Sequence, residues 1–146
     1  MKIFIDTNVL LRFILADDEK SFEECQSLFQ LIESGGLTPY TSTIVLMEVF
    51  FVLTSTYKVK KQSAISDIDD ILNTRNLTLI EKTNFKKAIK LHKKTNIKLS
   101  DGVIISQLPK SIILCSFDKE FKKIKEVNCK TPKEILEGLK IKKSRN

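Results

Sequence analysis

The sequence predicts an α/β protein, with a parallel sheet of about four to five strands flanked by helices. Its 146 residues suit one domain, and a hydrophobic content of 42% is enough to build a core. Short apolar runs alternate with amphipathic segments of helical length, which is typical of a parallel sheet. The two clearest runs, 3–5 and 112–116, lead directly to Asp6 and Asp118. Because ligands bind beyond the carboxyl ends of parallel strands, these aspartates are the first functional candidates.

The first half of the chain predicts two strands and four helices. An apolar run at the start indicates a buried strand, and apolar spacing of three to four residues indicates the helices that follow. Pro39 indicates an edge strand or a strand start, because proline lacks a backbone N–H. The predicted elements are a strand at 3–5, a helix with Leu10, Leu11 and Ile14, a helix at 18–34 ended by Gly35-Gly36, a strand at 37–41, a helix at about 43–57, and a helix at 61–73 with Ile65, Ile68, Ile71 and Leu72 facing inward.

The second half alternates in the same way and ends in a basic segment. Thr131-Pro132 favours a helix start, since proline is common at the first helical position. The predicted elements are a strand at 77–80, a basic helix at 82–95 with Phe85, Ala88, Ile89 and His92 on its inner or border side, a helix from Leu99 to Leu108, a strand at 112–116, a short basic helix at 119–125, a weak strand at 127–129, a last helix, and a basic tail at 140–146.

Charge is unevenly distributed along the chain, whose net charge is +7. Residues 1–73 contain 6 basic and 11 acidic side chains, whereas residues 74–146 contain 19 and 7. This asymmetry fits a polyanionic substrate that is handled by an acidic, cation-requiring site. Lysines that only keep the surface soluble would produce the same asymmetry.

Several protein classes are excluded by what the sequence lacks. The three cysteines are odd in number and include no CxxC pair, which argues against a disulfide framework and against a zinc site. The longest apolar run, 44–53, contains Glu48 and is too short to span a membrane, and no signal peptide opens the chain. We therefore expect a cytoplasmic protein. The common metalloprotease, P-loop, dinucleotide-binding and serine-hydrolase motifs do not occur.

Four acidic residues, Asp6, Glu48, Asp101 and Asp118, are the candidate functional groups. Each aspartate has a simpler explanation at a helix start, as a cap or as a charge that favours the helix dipole. Glu48 does not, because it lies mid-helix among apolar neighbours, and a buried unpaired carboxylate is costly. It needs either a Lys or Arg partner or a metal ion shared with the other acids. Mg²⁺ takes oxygen ligands, and clustered carboxylates can support phosphodiester hydrolysis without histidine.

These acids lie in segments that resemble PIN-domain ribonucleases, especially the VapC-type toxins of bacterial and archaeal toxin–antitoxin pairs. The opening Phe4-Ile5-Asp6-Thr7-Asn8-Val9-Leu10-Leu11-Arg12 is the most specific of them. The likeness continues in chain order and covers residues 2 to about 130, although Gly102 stands where these proteins often have alanine. The later segments are Thr41-Ser42 followed by Glu48, Leu99-Ser100-Asp101, and Cys115-Ser116-Phe117-Asp118-Lys119-Glu120-Phe121.

The resemblance implies a single PIN-like domain at 1–139, with a Rossmann-like parallel sheet and a basic tail at 140–146. It implies a ribonuclease that depends on Mg²⁺ or Mn²⁺, cleaves single-stranded RNA, and leaves 5′-phosphate and 3′-hydroxyl ends. Asp6, Glu48, Asp101 and Asp118 would be catalytic and bind the metal, and Thr7, Asn8 and Ser116 would orient carboxylates or water. The implied partners are RNA, a cognate antitoxin and a second copy of the chain. The candidate RNA-binding residues are Lys86, Lys87, Lys90, Lys93, Lys94, Lys122 and Lys123.

Three other functions stay open at this point. A catalytically silent PIN-like module would bind RNA or protein without cleaving it. An RNA-processing nuclease could act outside a toxin–antitoxin pair. A phosphoryl-transfer enzyme with an aspartyl nucleophile generally has a second aspartate two residues after the first, where this chain has Asn8.

Overall fold

The computed structural model describes residues 1–144 as five parallel strands surrounded by helices. The predicted α/β class with a parallel sheet is confirmed. The elements are β1 (Lys2–Ile5), α1 (Thr7–Leu15), α2 (Glu19–Glu33), β2 (Thr38–Ser42), α3 (Thr43–Phe51), a π-helical segment (Val52–Thr56), α4 (Lys61–Leu72), β3 (Thr78–Ile80), α5 (Phe85–Thr95), α6 (Leu99–Gln107), β4 (Ile113–Cys115), a 3₁₀ turn (Lys119–Lys123), β5 (Cys129–Lys130) and α7 (Pro132–Ser144).

The sheet has the strand order β3-β2-β1-β4-β5, so β1 is its central strand. The side chains of Ile3, Phe4 and Ile5 are at most 1% exposed, because helices cover both faces of a parallel sheet. β1 pairs with β2 on one side and with β4 on the other. Residues that follow β1 and β4 therefore emerge side by side at one edge of the sheet.

Two strand predictions need correction. The edge-strand alternative for Pro39 is wrong, since β2 lies between β1 and β3, whereas the strand-start alternative fits its position as the second residue of β2. Pro39 pairs with Ile3 on the β1 side, and the pairing with β3 begins only at the next residue, Tyr40. The last strand is β5 at Cys129–Lys130 and not at 127–129, because its pairing with β4 begins at Cys129.

Helix termini follow the local sequence closely. Asp18 caps α2 by accepting a hydrogen bond of 2.9 Å from the Ser21 N–H. At the start of α7, Thr131 accepts a hydrogen bond of 3.2 Å from the Glu134 N–H, and Glu134 accepts one of 2.8 Å from the Thr131 N–H. α7 continues to Ser144, so residues 140–144 are helical and not a frayed tail; residues 145 and 146 of the predicted tail lie outside the described range.

The inner faces of α4 and α5 agree only in part with those predicted: Ile68, Ile71 and Ala88 are turned inward, and the other predicted residues are exposed. On α4, Ile65 is 50% exposed and Leu72 is 41% exposed, and the buried residues of the helix are Ala64 and Ile71. On α5, Ala88 alone is buried, and Phe85, Ile89 and His92 are exposed. The most deeply buried residue of each helix is an alanine, Ala64 on α4 and Ala88 on α5. No helix within residues 1–144 is long and apolar enough to cross a membrane.

Candidate active site

The four candidate acids approach one edge of the sheet from different elements. Asp6 follows β1, and Asp118 follows the adjacent strand β4 and begins the 3₁₀ turn. Glu48 lies in α3, and Asp101 lies in the first turn of α6. Asp6 and Asp101 are buried, with 4% and 9% of their surface exposed. Carboxylates that are far apart in the sequence thus meet at the carboxyl-end side of the strands.

A hydrogen-bond network connects Asp6 to Asp118. The Ser116 hydroxyl donates to Asp6 Oδ2 at 2.6 Å and accepts from the Asp118 N–H at 3.0 Å. Asn8 Nδ2 donates to the same hydroxyl at 3.1 Å, and Asn8 Oδ1 accepts from the Phe117 N–H at 3.0 Å. The side chains of Asn8 and Ser116 thus hold the segment that follows β4 against the segment that follows β1.

Glu48 is held by one hydrogen bond, from Thr7 Oγ1 to Glu48 Oε2 at 3.2 Å. Its other oxygen, Oε1, is buried and has no hydrogen-bond partner in the described structure. No ion pair of Glu48 occurs within residues 1–144, so the Lys or Arg partner considered from the sequence is not found there. Burial raises the pKa of Glu48, as does the charge of Asp6, whereas the Thr7 hydrogen bond and Lys98 lower it.

The pKa of Asp101 is raised by burial and in part by the charges of the other three acids, and the effect of these charges indicates that the four acids lie close together. Burial, as the main cause, and the negative charges of Asp6, Asp118 and Glu48 together raise this pKa from 3.8 to about 7. The positive charge of Lys98 opposes this increase. Since Coulomb interactions weaken with distance and screening, this coupling indicates one electrostatic cluster.

Burial also raises the pKa of Asp6, against the hydrogen bond from Ser116, and the charge of Asp118 contributes to the increase. The capping explanation fails for Asp6, whose side chain makes no capping hydrogen bond to α1. It holds for Asp118, which accepts a hydrogen bond of 2.9 Å from the Glu120 N–H. Asp101 occupies the first turn of α6, where a carboxylate also favours the helix dipole. Capping and the helix dipole therefore explain the positions of Asp118 and Asp101 but not that of Asp6.

The donor chemistry of this cluster suits a hard divalent cation. Asp6, Glu48, Asp101 and Asp118 provide oxygen ligands, among them the unpartnered Glu48 Oε1, and none of the four forms an ion pair within residues 1–144. Within residues 1–144, however, no group of three or more His, Cys, Asp or Glu side chains is arranged so that it could hold a metal ion. A cation at this site would therefore require side-chain rearrangement.

Two residues at this edge were not predicted from the sequence. Lys98, directly before α6, lowers the pKa of both Glu48 and Asp101 and is the cation coupled to the cluster. Gly102, which departs from the alanine common in the resembling proteins, packs against α5: a Cβ there would lie 3.0 Å from the Ala88 carbonyl oxygen. A lysine three residues before Asp101 was the only available signal for Lys98, and the sequence showed Gly102 only as a departure from alanine, without its contact to α5.

The candidate RNA-binding lysines occupy two regions away from the acids. Lys86, Lys87, Lys90, Lys93 and Lys94 are exposed on α5. Lys122 and Lys123 lie in the 3₁₀ turn, where they form ion pairs of 2.9 Å with Glu134 and 2.7 Å with Glu120. Exposed ion pairs contribute little to stability, so both lysines can exchange their partners.

Comparisons with known proteins agree with this geometry. The chain resembles a structure of VapBC2 from Rickettsia felis bound to a promoter DNA fragment, at 19% identity and a TM-score of 0.66, covering 90% of this chain and 98% of that one. It resembles VapBC-1 from nontypeable Haemophilus influenzae at 17% identity and a TM-score of 0.62, covering 91% and 99%. Among curated proteins a sequence search finds no significant match. The family model for the PIN domain matches residues 3–127, and the chain therefore belongs to the PIN domain family.

Proposed function

We propose that this protein is a metal-dependent endoribonuclease that cleaves single-stranded RNA, and that it is the cytoplasmic toxin of a toxin–antitoxin pair. The observation that carries the proposal is the meeting of four carboxylates at the carboxyl-end edge of the sheet, where burial and the charges of the other three acids raise the pKa of Asp101 to about 7. Such a cluster is unfavourable without a cation and favourable with one. Membership of the PIN domain family and the fold shared with two VapBC structures support the same function.

In this mechanism Asp6, Glu48, Asp101 and Asp118 would hold Mg²⁺ or Mn²⁺. Bound there, the cation would neutralise the scissile phosphate and favour ionisation of the attacking water. Ser116 and Asn8 keep the Asp6 carboxylate in one orientation through the 2.6 Å and 3.1 Å hydrogen bonds. Thr7 fixes one oxygen of Glu48 and leaves Oε1 free. Because water attacks in place of the ribose hydroxyl, the products have 5′-phosphate and 3′-hydroxyl ends.

The proposed protein partners are an antitoxin and a second copy of the chain. The two similar structures are VapBC complexes, which supports an antitoxin. The side chains of Met47 and Phe51 are 60% and 66% exposed, and they share one face of α3, since they lie four residues apart. Large exposed apolar side chains are typical of interaction surfaces.

The direct test is incubation of the purified chain with a mixed RNA pool in the presence of Mg²⁺, Mn²⁺ or a chelator. We expect internal cleavage with either metal and intact RNA with the chelator, with 5′-phosphate ends identified by a phosphate-dependent exonuclease. Equal cleavage in the chelator would refute the metal mechanism.

A second candidate is a catalytically silent PIN-like module that binds RNA. One observation favours it: no group of three potential ligands within residues 1–144 is arranged to hold a metal ion. The same assay separates the two functions, because a silent module leaves the RNA pool intact under all three conditions.

A further inference from the structure

A lysine-lined cleft lies between α5, α6 and residues 123–126, next to the elements that carry Asp101 and Asp118. Its volume is about 660 Å³. Five lysines and one acid line its walls: Lys87, Lys90, Lys94, Lys123, Lys125 and Glu126. We call this the lysine cleft.

Most of the charge in the lysine cleft has no counter-ion in the protein. Within residues 1–144, Lys87, Lys90, Lys94 and Lys125 form no ion pair. Lys123 is paired with Glu120, in a contact where both side chains are more than half exposed. Cations collected in a concave site with low-dielectric walls produce a field that concentrates anions. The lysine cleft is therefore suited to a polyanion.

The shape of the lysine cleft indicates an extended ligand. Lys87, Lys90 and Lys94 lie on one face of α5 at helical spacing, and the seven helical steps from Lys87 to Lys94 span about 10 Å. The floor is formed by Leu91, Ile105 and Ile124, and no aromatic residue is present in the described lining. Single-strand sites that stack bases use aromatic side chains, so this site fits a sugar-phosphate backbone.

The lysine cleft adjoins the acids through two elements. Ile105 in its floor lies four residues after Asp101 on α6, which places both on one face of the helix about 6 Å apart along its axis. Lys123 in its wall ends the 3₁₀ turn that Asp118 begins. An extended strand in the lysine cleft would therefore reach the acids along α6 or along the 3₁₀ turn.

We propose that the lysine cleft binds the backbone of single-stranded RNA beside the bond that is cleaved, through lysine–phosphate contacts that do not depend on base sequence. This inference rests on the proposed function. It also reduces the number of candidate RNA-binding lysines that were predicted from the sequence. Lys86 and Lys93 are on the same helix but outside the lining, and Lys122 contacts Glu134 at 2.9 and 3.1 Å. Lys125, which was not among the lysines predicted from the sequence, does line the lysine cleft.

The test compares two double variants with the same change in charge on the same helix. Lys90→Gln/Lys94→Gln alters the lysine cleft, and Lys86→Gln/Lys93→Gln is the matched control. Binding of a labelled oligouridylate is measured by fluorescence anisotropy over a range of potassium chloride concentrations. A chelator is present throughout, so that binding is measured without cleavage, and thermal melts verify that both variants are folded.

The log–log salt slope on a single strand should fall by about 0.7 for each lysine–phosphate pair that a substitution removes, so the slope of the cleft variant should fall by about 1.4. If the binding curves converge near 1 M salt, the loss of affinity at 0.1 M salt is at least about tenfold. The control should stay within about threefold of the parent. Equal losses of affinity in both variants, or no loss in either, would overturn the proposal. Tighter binding of duplex DNA than of the oligouridylate, with the same dependence on Lys90 and Lys94, would overturn it as well.

Failure of this proposal is distinguishable from failure of the proposed function. Metal-dependent cleavage by a chain whose two double variants bind RNA equally well would overturn the lysine cleft and leave the nuclease intact. Cleft-dependent binding by a chain that cleaves no RNA with any metal would refute the nuclease and support the lysine cleft.

Discussion

The two halves of the acidic cluster are built differently. Asp6 and Asp118 follow adjacent strands and share the Ser116 hydroxyl, with bonds of 2.6 and 3.0 Å. Glu48 and Asp101 project from helices α3 and α6. Within residues 1–144, Glu48 receives one hydrogen bond, from Thr7, and none is found for the Asp101 side chain. The first pair is oriented by hydrogen bonds, and the second is positioned by helix packing.

This difference indicates how the site would respond to a cation. A carboxylate in a closed network keeps its geometry without metal, whereas a desolvated carboxylate without partners is stabilised when a counter-ion arrives. The buried, unpartnered Glu48 Oε1 and the Asp101 pKa of about 7 belong to the second pair. We therefore expect the Asp6–Asp118 pair to be preorganised and the Glu48–Asp101 pair to depend on the cation.

The largest effect is expected for Glu48→Gln, which keeps the side-chain shape and removes one charge. Loss of a few kcal/mol of charge stabilisation should reduce RNA cleavage by at least about 100-fold, at a factor of ten per ~1.4 kcal/mol. The metal-free variant should be as stable as the parent or more stable, because repulsion from Asp6 is relieved. Added Mg²⁺ should raise its melting temperature less than that of the parent. Cleavage assays and thermal melts with and without Mg²⁺ measure all three effects.

The control is Glu81→Gln, an exposed glutamate after β3, which should leave cleavage and melting unchanged. If Glu48 were instead one partner of a buried ion pair, its replacement would destabilise the metal-free chain by roughly 3–5 kcal/mol. A loss of that size would contradict the assignment of Glu48 to the cation-dependent pair.

The contrast between the pairs also separates what the sequence could predict from what it could not. The runs before Asp6 and Asp118 are apolar and end in acids, so the same segments predicted both the strands and the candidate site residues that follow them. Glu48 stood out because a charge interrupted an apolar helix. The coupling of Lys98 to the acids depends on how α6 packs against α3, which no local pattern encodes. The contact between Gly102 and Ala88 likewise depends on small residues that periodicity overlooks.

The next largest effect is expected from Ser116→Ala in the hydrogen-bonded pair. The change removes the 2.6 Å bond to Asp6 and leaves the Asn8 amide and the Asp118 N–H without their acceptor. Unpaired buried polar groups cost about 1–3 kcal/mol, so the free energy of unfolding should fall by about that amount. Urea denaturation measures it, with cleavage activity recorded on the same preparations.

Thr7→Val is the matching change in the other pair. It removes a single hydrogen bond of 3.2 Å to the half-buried Glu48 and should cost less than about 1 kcal/mol. Its effect on the metal-free fold should therefore be smaller than that of Ser116→Ala. The reverse order would show that the Glu48 side of the site is also held by hydrogen bonds.

The last expected effect is a pH dependence of metal-free stability that arises from the second pair. Burial and the neighbouring acids raise the pKa of Asp101 from 3.8 to about 7 in the folded chain. Between these values the folded state binds a proton that the unfolded state has released, so stability should fall as pH rises through this window. The raised pKa values of Asp6 and Glu48 act with the same sign.

Thermal melts in chelator across this window should therefore give a melting temperature that decreases toward neutral pH, and Asp101→Asn should flatten the decrease. Asp18→Asn is the control: the hydrogen bond from Ser21 lowers the pKa of Asp18, so its stabilisation is lost only as pH falls below 3.8, and the slope above that value should not change. Saturating Mg²⁺ should weaken the slope in the parent, because a bound cation favours the ionised carboxylates. A melting temperature that rises toward neutral pH in the metal-free parent would contradict the assignment of unfavourable charge to the Glu48–Asp101 pair.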